Sequence, residues 1–166
     1  MKTDLSLSAA ADFAAQLRAI HEGDAWHGPA LRELLSGLSP AQAASRPFPK
    51  AHNIWEVVLH IAAWENVYRQ RLAGMALDKP DEGNFPRVES LTPAAWEQAL
   101  AHLERVHKEF HRAVASLPES AFEQIVPGRP FTVRFMLQSA IRHHVCHAGQ
   151  IALLKKAVVP SGVPAL

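Results

Sequence analysis

The chain has a single cysteine, Cys146, so no intramolecular disulfide can form and nothing in the thiol content points to an oxidising compartment. It lacks any run of about 18 apolar residues of the kind that crosses a bilayer. Asp4 and Asp12 interrupt the apolar stretch after Lys2 that a leader would need. These absences make the cytoplasm the expected location and leave a membrane out as a partner. Excess charge of one sign is also missing. Lys and Arg number 17 against 16 Asp and Glu, a formal net charge of +1, and no basic run forms the patch that a phosphate backbone requires. Nucleic acid is therefore not an expected partner. Strand signals are scarce as well, with no convincing apolar–polar alternation bounded by turns.

What is present is helical periodicity. At 166 residues and 48% hydrophobic content, the chain is expected to form a single domain over residues 1–166 with a substantial core. Apolar stripes of period 3.6 recur in four regions. The first spans about Ser8 to Leu38, carrying Phe13, Leu17 and Ile20 and then Leu31, Leu34, Leu35 and Leu38, with a kink or break expected near Gly28-Pro29. Ser39-Pro40-Ala41-Gln42 reads as a capping box opening a short turn. The second helix starts at Asn53 with Glu56 three residues on, and Gly74 is its expected C-cap. The third opens with Thr92 and Pro93, with Leu91 placed to staple onto Trp96, and Pro118 closes it. The fourth runs from Thr132 to about Ala157, after which Pro160 and Pro164 forbid further helix. Four long amphipathic helices predict an all-α four-helix bundle.

Ten histidines are the unusual feature of the composition. His143 and His147 are four residues apart and share one helix face with Met136, Ala140, Ile151 and Leu154. His60 lies among Val57, Ile61 and Trp64 on the inward side of the second helix. Burying an unpaired polar ring costs roughly 1–3 kcal/mol. Hydrogen-bonded core histidines would meet that demand, and so would one divalent ion held by all three, the pattern of a catalytic zinc with an open position. Spacing alone does not prove that the two helices meet.

Two motifs carry a family resemblance. The stretch Ile54-Trp55-Glu56-Val57-Val58-Leu59-His60-Ile61-Ala62-Ala63-Trp64-Glu65 resembles the second-helix signature of the DinB/YfiT-like family. The stretch His143-His144-Val145-Cys146-His147-Ala148-Gly149-Gln150-Ile151 is similar to that family's H-x-x-x-H-x-G-Q-I signature. The resemblance covers nearly the whole chain in helix number and order. It implies a mirror variant of the up-and-down bundle, often dimeric, with a three-histidine site for zinc, nickel or another divalent ion. By motif match the ligands fall on His60, His143 and His147, with His144 and Cys146 at non-ligand positions. Relatives include transferases and isomerases that use bacillithiol or mycothiol, and DNA-damage-inducible proteins of unassigned activity.

Other residues have two readings each. His27, beside Trp26, is either a contact near the metal or an exposed helix-end residue. His52 reads as the residue before an N-cap. His107 and His111 have ligand-pair spacing, but Lys108 and Arg112 beside them favour a solvated face. Cys146 reads as a small buried packing residue rather than a nucleophile. Glu65 and Arg142 either orient a ligand and anchor an acidic substrate or are surface charges. Phe48, Phe85 and Phe122 are the aromatics expected to supply a homodimer interface.

The resulting functional expectation is a metal-dependent enzyme acting on a small molecule. In one form the metal (zinc or nickel) presents a low-molecular-weight thiol for S-transfer, and in a close variant it serves hydrolysis. The alternative is a non-catalytic metal- or ligand-binding stress-response bundle.

Overall fold

The computed structural model describes residues 8–159; Lys2, Asp4, Pro160 and Pro164 lie outside them. Six α-helices form among the described residues: α1 Ala9–Glu22, α2 Leu31–Leu35, α3 Pro40–Ala44, α4 Ile54–Leu72, α5 Pro93–Ala115 and α6 Val133–Val158. A 3₁₀ turn follows at Glu119–Ala121, and the only β pairing among the described residues is an isolated bridge between Ile125 and Thr132. The all-α reading of the sequence holds. No helix among the described residues is long and apolar enough to cross a membrane.

The local signals set the helix starts. Asn53 Oδ1 accepts from Glu56 N at 2.8 Å and the Glu56 carboxylate accepts from Asn53 N at 3.2 Å, closing the capping box of α4. Ser39 and Gln42 do the same for α3. Thr92 and Thr132 cap α5 and α6 by accepting from Ala95 N and Phe135 N. Helix α4 ends at Ala73, and Gly74 follows with φ 93°, a left-handed value that glycine adopts without a Cβ clash.

The break expected in the first region is present and wider than Gly28-Pro29: α1 stops at Glu22, Gly23 and Asp24 take positive φ values, and helix resumes only at Leu31. The break therefore starts ahead of Gly28-Pro29, because the chain has already turned at Gly23. Leu91 remains largely exposed instead of stapling. Trp96 instead packs against Trp55, ring centroids 5.0 Å apart, and donates its indole N–H to Leu38 O at 3.0 Å.

The four longer helices form a ring in which α4 packs on α5 and α6, and α1 packs on the same two. Two apolar clusters fill it. One gathers Leu31, Leu35, Ile54, Trp55, Ile61, Leu103 and Ile151; the other gathers Phe13, Leu17, Phe110, Phe122, Met136 and Leu137. Each such fully buried side chain contributes about 1.5–3 kcal/mol. The interior also holds the buried polar residues His21, His60, Glu65, His107, His144 and His147. These polar residues come from α1, α4, α5 and α6, so every long helix contributes to the polar part of the interior. Phe122 is fully buried, stacked on Phe13 at 5.6 Å, and so is unavailable to a dimer interface.

Candidate metal centre

Helix α4 carries His60 inward and α6 carries His143 and His147 one turn apart, and the contact between these helices brings the three rings together. His60 Nε2 lies 2.9 Å from His143 Nε2, and His147 Nε2 lies 2.9 Å from the same atom. All three ligand atoms fall within 4.8 Å of one another, and among the described residues no other His, Cys, Asp or Glu joins the cluster. Tetrahedral zinc with Zn–N bonds of about 2.0–2.1 Å needs nitrogens roughly 3.3 Å apart. The two 2.9 Å spacings lie a few tenths of an ångström inside that value, so the rings need only open slightly around an ion.

The outer nitrogens fix which ring atoms face inward. His60 Nδ1 stands 2.5 Å from Asn84 O. A carbonyl can only accept, so Nδ1 carries the proton and Nε2 presents its lone pair. His147 Nδ1 likewise donates to Gln150 Oε1 at 2.8 Å. Two lone pairs therefore meet at His143 Nε2, an arrangement that a cation satisfies better than one shared proton. The donor set, neutral imidazole nitrogen, suits zinc, nickel and similar divalent ions.

Protonation does not compete near neutrality. Burial lowers His60 to about 4 against the Asn84 hydrogen bond. His143 falls to about 3, through burial first and then the neighbouring His144, His147 and His60. Burial also lowers His147.

The connection between α4 and α5 is fastened over this centre. Asn84 also accepts from Trp64 Nε1 at 2.8 Å. Phe85 is sandwiched between His52 at 3.6 Å and His60 at 4.1 Å. Arg71 donates to Leu77 O and Asp78 O, and Arg129 also reaches Leu77 O. A cavity of about 350 Å³ has His147 in its wall, with Phe48, Phe85 and Leu153 as apolar surface and Lys50, His52 and Gln150 as polar groups. A larger cavity of about 460 Å³, bounded by Leu35, Trp96, Leu103 and Glu104, includes none of the three histidines.

Beside the histidine cluster lies a buried network that sequence reasoning missed. Glu65 is fully buried, and its Oε1 accepts from His107 Nδ1 at 2.8 Å and His144 Nε2 at 2.9 Å. His144 Nδ1 donates to Ala140 O at 2.6 Å. Both nitrogens of His144 face acceptors, so the ring is an imidazolium paired with the carboxylate. Burial alone would lower the pKa of His144, but Glu65 overcomes it and raises the value. Burial would likewise raise Glu65, and the bonds from His107 and His144 hold it below the ordinary carboxylate range. His21 stacks on His107 at 3.8 Å and its Nε2 donates to Glu104 Oε2 at 2.9 Å.

Three readings are thereby corrected. His107 is 3% exposed rather than solvated, because it follows Leu103 by four residues and precedes Phe110 by three on the buried stripe of α5. Glu65 is a core ion rather than a surface charge. Cys146 is exposed rather than packed inside, being rotated about 100° from His147. Arg142, His27 and His52 are exposed, and His111 is partly so. The signal for the missed residues was present: Leu17–His21, Ile61–Glu65, Leu103–His107 and Ala140–His144 all repeat at four residues.

The family model of the DinB superfamily matches residues 24–151. No curated protein and no solved structure matches the chain.

Proposed function

Since the chain belongs to the DinB superfamily, we propose that His60, His143 and His147 hold one divalent metal ion, zinc or nickel, and that the protein is a metal-dependent enzyme acting on a small molecule. The observation that carries this is the convergence of three Nε2 atoms, two with their outer Nδ1–H groups already engaged. The three-protein-ligand set is the composition of an open catalytic site, not of a closed structural one. A divalent ion bound there would supply Lewis acidity that favours the ionised form of a thiol near neutral pH.

The remaining work falls to the chain's own residues. Asn84 and Gln150 hold two imidazoles in the tautomer that presents a lone pair. Phe85 stacks on His60 and keeps water from that side. The cavity beside His147 offers Phe48, Phe85 and Leu153 to an apolar group and Lys50 to an anionic one. This composition suits a small substrate with an apolar body and an acidic end. We assign the reaction to S-transfer of a low-molecular-weight thiol onto such an electrophile, within a single 1–166 domain acting as a cytoplasmic homodimer.

The test is metal content of the purified protein followed by a conjugation screen. The screen pairs bacillithiol, mycothiol and glutathione with aromatic and epoxide electrophiles. Metal at one ion per chain with metal-dependent thiol consumption supports the reading. Stoichiometric metal with no turnover of any pair would favour a metal- or ligand-binding bundle instead.

A further inference from the structure

Among the buried polar atoms, His143 Nδ1 and Glu65 Oε2 have no hydrogen-bond partner. The two belong to adjoining parts of the polar interior. Glu65 Oε1 bonds His144, and the His143 and His144 rings are 5.9 Å apart. The other two histidines of the cluster each have an acceptor for Nδ1–H, while His143 has none. Once His143 Nε2 is committed to a cation, a neutral ring must carry its proton on Nδ1. A buried N–H without an acceptor is unfavourable, and the unpartnered oxygen of a buried carboxylate is the group that can receive it.

On the reading that the three histidines bind metal, we propose that Glu65 is a positioning residue for His143: its Oε2 receives the Nδ1–H of the metal-bound ring, directly after a small rotation or through one water. Glu65 then bridges three histidines, with Oε1 holding His107 and His144 and Oε2 holding His143. A carboxylate behind a ligating imidazole fixes the ring tautomer and raises its basicity, and losing such a partner costs metal affinity about 10–100-fold.

The experiment measures zinc affinity by competition with a chromophoric chelator for wild type, Glu65→Gln and Phe122→Ala. It also follows the imidazole nitrogen and proton resonances of the zinc-loaded proteins, with His143→Ala used for assignment. Glu65→Gln is expected to weaken zinc binding about 10–100-fold and to shift or lose the His143 Nδ1–H signal. Phe122→Ala removes a fully buried aromatic of the second apolar cluster and is expected to lower the melting temperature while leaving both readouts near wild type. If Glu65→Gln does not fold, Glu65→Asp, with its carboxylate drawn back by one methylene, is measured in the same way with the same expected direction. Zinc bound by wild type and by the Glu65 variant equally well, with the His143 signal unmoved, overturns the proposal while leaving the three-histidine site intact. Parallel losses in the Glu65 variant and Phe122→Ala that track melting temperature also overturn it, because they show general stability at work. No zinc uptake by wild type overturns both this proposal and the site.

Discussion

Replacing Glu65 by Ala in the metal-free protein isolates the energetic role of the buried carboxylate. The substitution removes the acceptor of two buried donors, His107 Nδ1 and His144 Nε2, and the counter-charge of the His144 imidazolium. Breaking a buried ion pair by deleting one partner costs about 3–5 kcal/mol. Domains of this size lose roughly 2–4 °C per kcal/mol, so the melting temperature should fall by about 6–20 °C. Glu123→Ala is the matched control, because Glu123 pairs with Arg134 at an exposed position where such a pair contributes about 0–1 kcal/mol. The difference between wild type and Glu65→Ala should also depend on pH. The folded-state pKa of Glu65 is lowered, so its contribution is present above the unfolded carboxylate value and is lost as pH falls through the folded one. That of His144 is raised, so its contribution is complete below the unfolded imidazole value and is lost as pH rises through the folded one. The gap is therefore widest in mildly acidic solution. Denaturant and thermal unfolding in the presence of a chelator measure it. A Glu65→Ala protein within 1 kcal/mol of Glu123→Ala, a threshold at the top of the exposed-pair range, would refute the reasoning.

Three further outcomes follow from the same geometry. His21 and His60 are both lowered to about 4 by burial, so the unfolded chain binds protons that the folded one refuses. Metal-free protein should therefore lose stability between pH 7 and pH 5, by about 2 kcal/mol for the more deeply buried His21 ring and by less for His60, and an unchanged urea midpoint would contradict this. Phe122→Ala, at a fully buried position, should destabilise by about 3–5 kcal/mol, whereas Trp26→Ala, at a fully exposed one, should stay within about 0.5 kcal/mol; calorimetry on the pair decides. Cys146 is exposed and should react with a disulfide reagent in the native protein, while Cys146→Ser should retain full metal content.

Helix identity and starts were legible because caps are local. Asn53, Thr92 and Thr132 each satisfy amides within their own first turn, and no distant residue is needed to read them. The His143–His147 pair was legible because both residues interrupt an apolar stripe, whereas its meeting with His60 was legible only through the family resemblance. The polar network was not, because its logic lies between helices. Glu65 is acceptable in the core only because His107 from α5 and His144 from α6 arrive at the same oxygen. In the sequence, Lys108 and Arg112 around His107 outweighed its spacing from Leu103. Phe122 was misplaced for a similar reason. It follows a proline-led turn with no periodic pattern, and only the return of the chain against Phe13 buries it.

The central claim is that His60, His143 and His147 act as one site. The direct measurement is metal bound per chain, by mass spectrometry after dialysis, for the three single Ala variants and the His143→Ala/His147→Ala double. His27→Ala and His111→Ala are the controls, since His27 is exposed, His111 is partly so and neither joins the cluster. The account predicts one ion per chain in wild type and both controls, a sharp loss in each single variant, and little further loss in the double, because ligands of one ion are coupled. Stoichiometric metal in all three single variants, or loss confined to the controls, would contradict it.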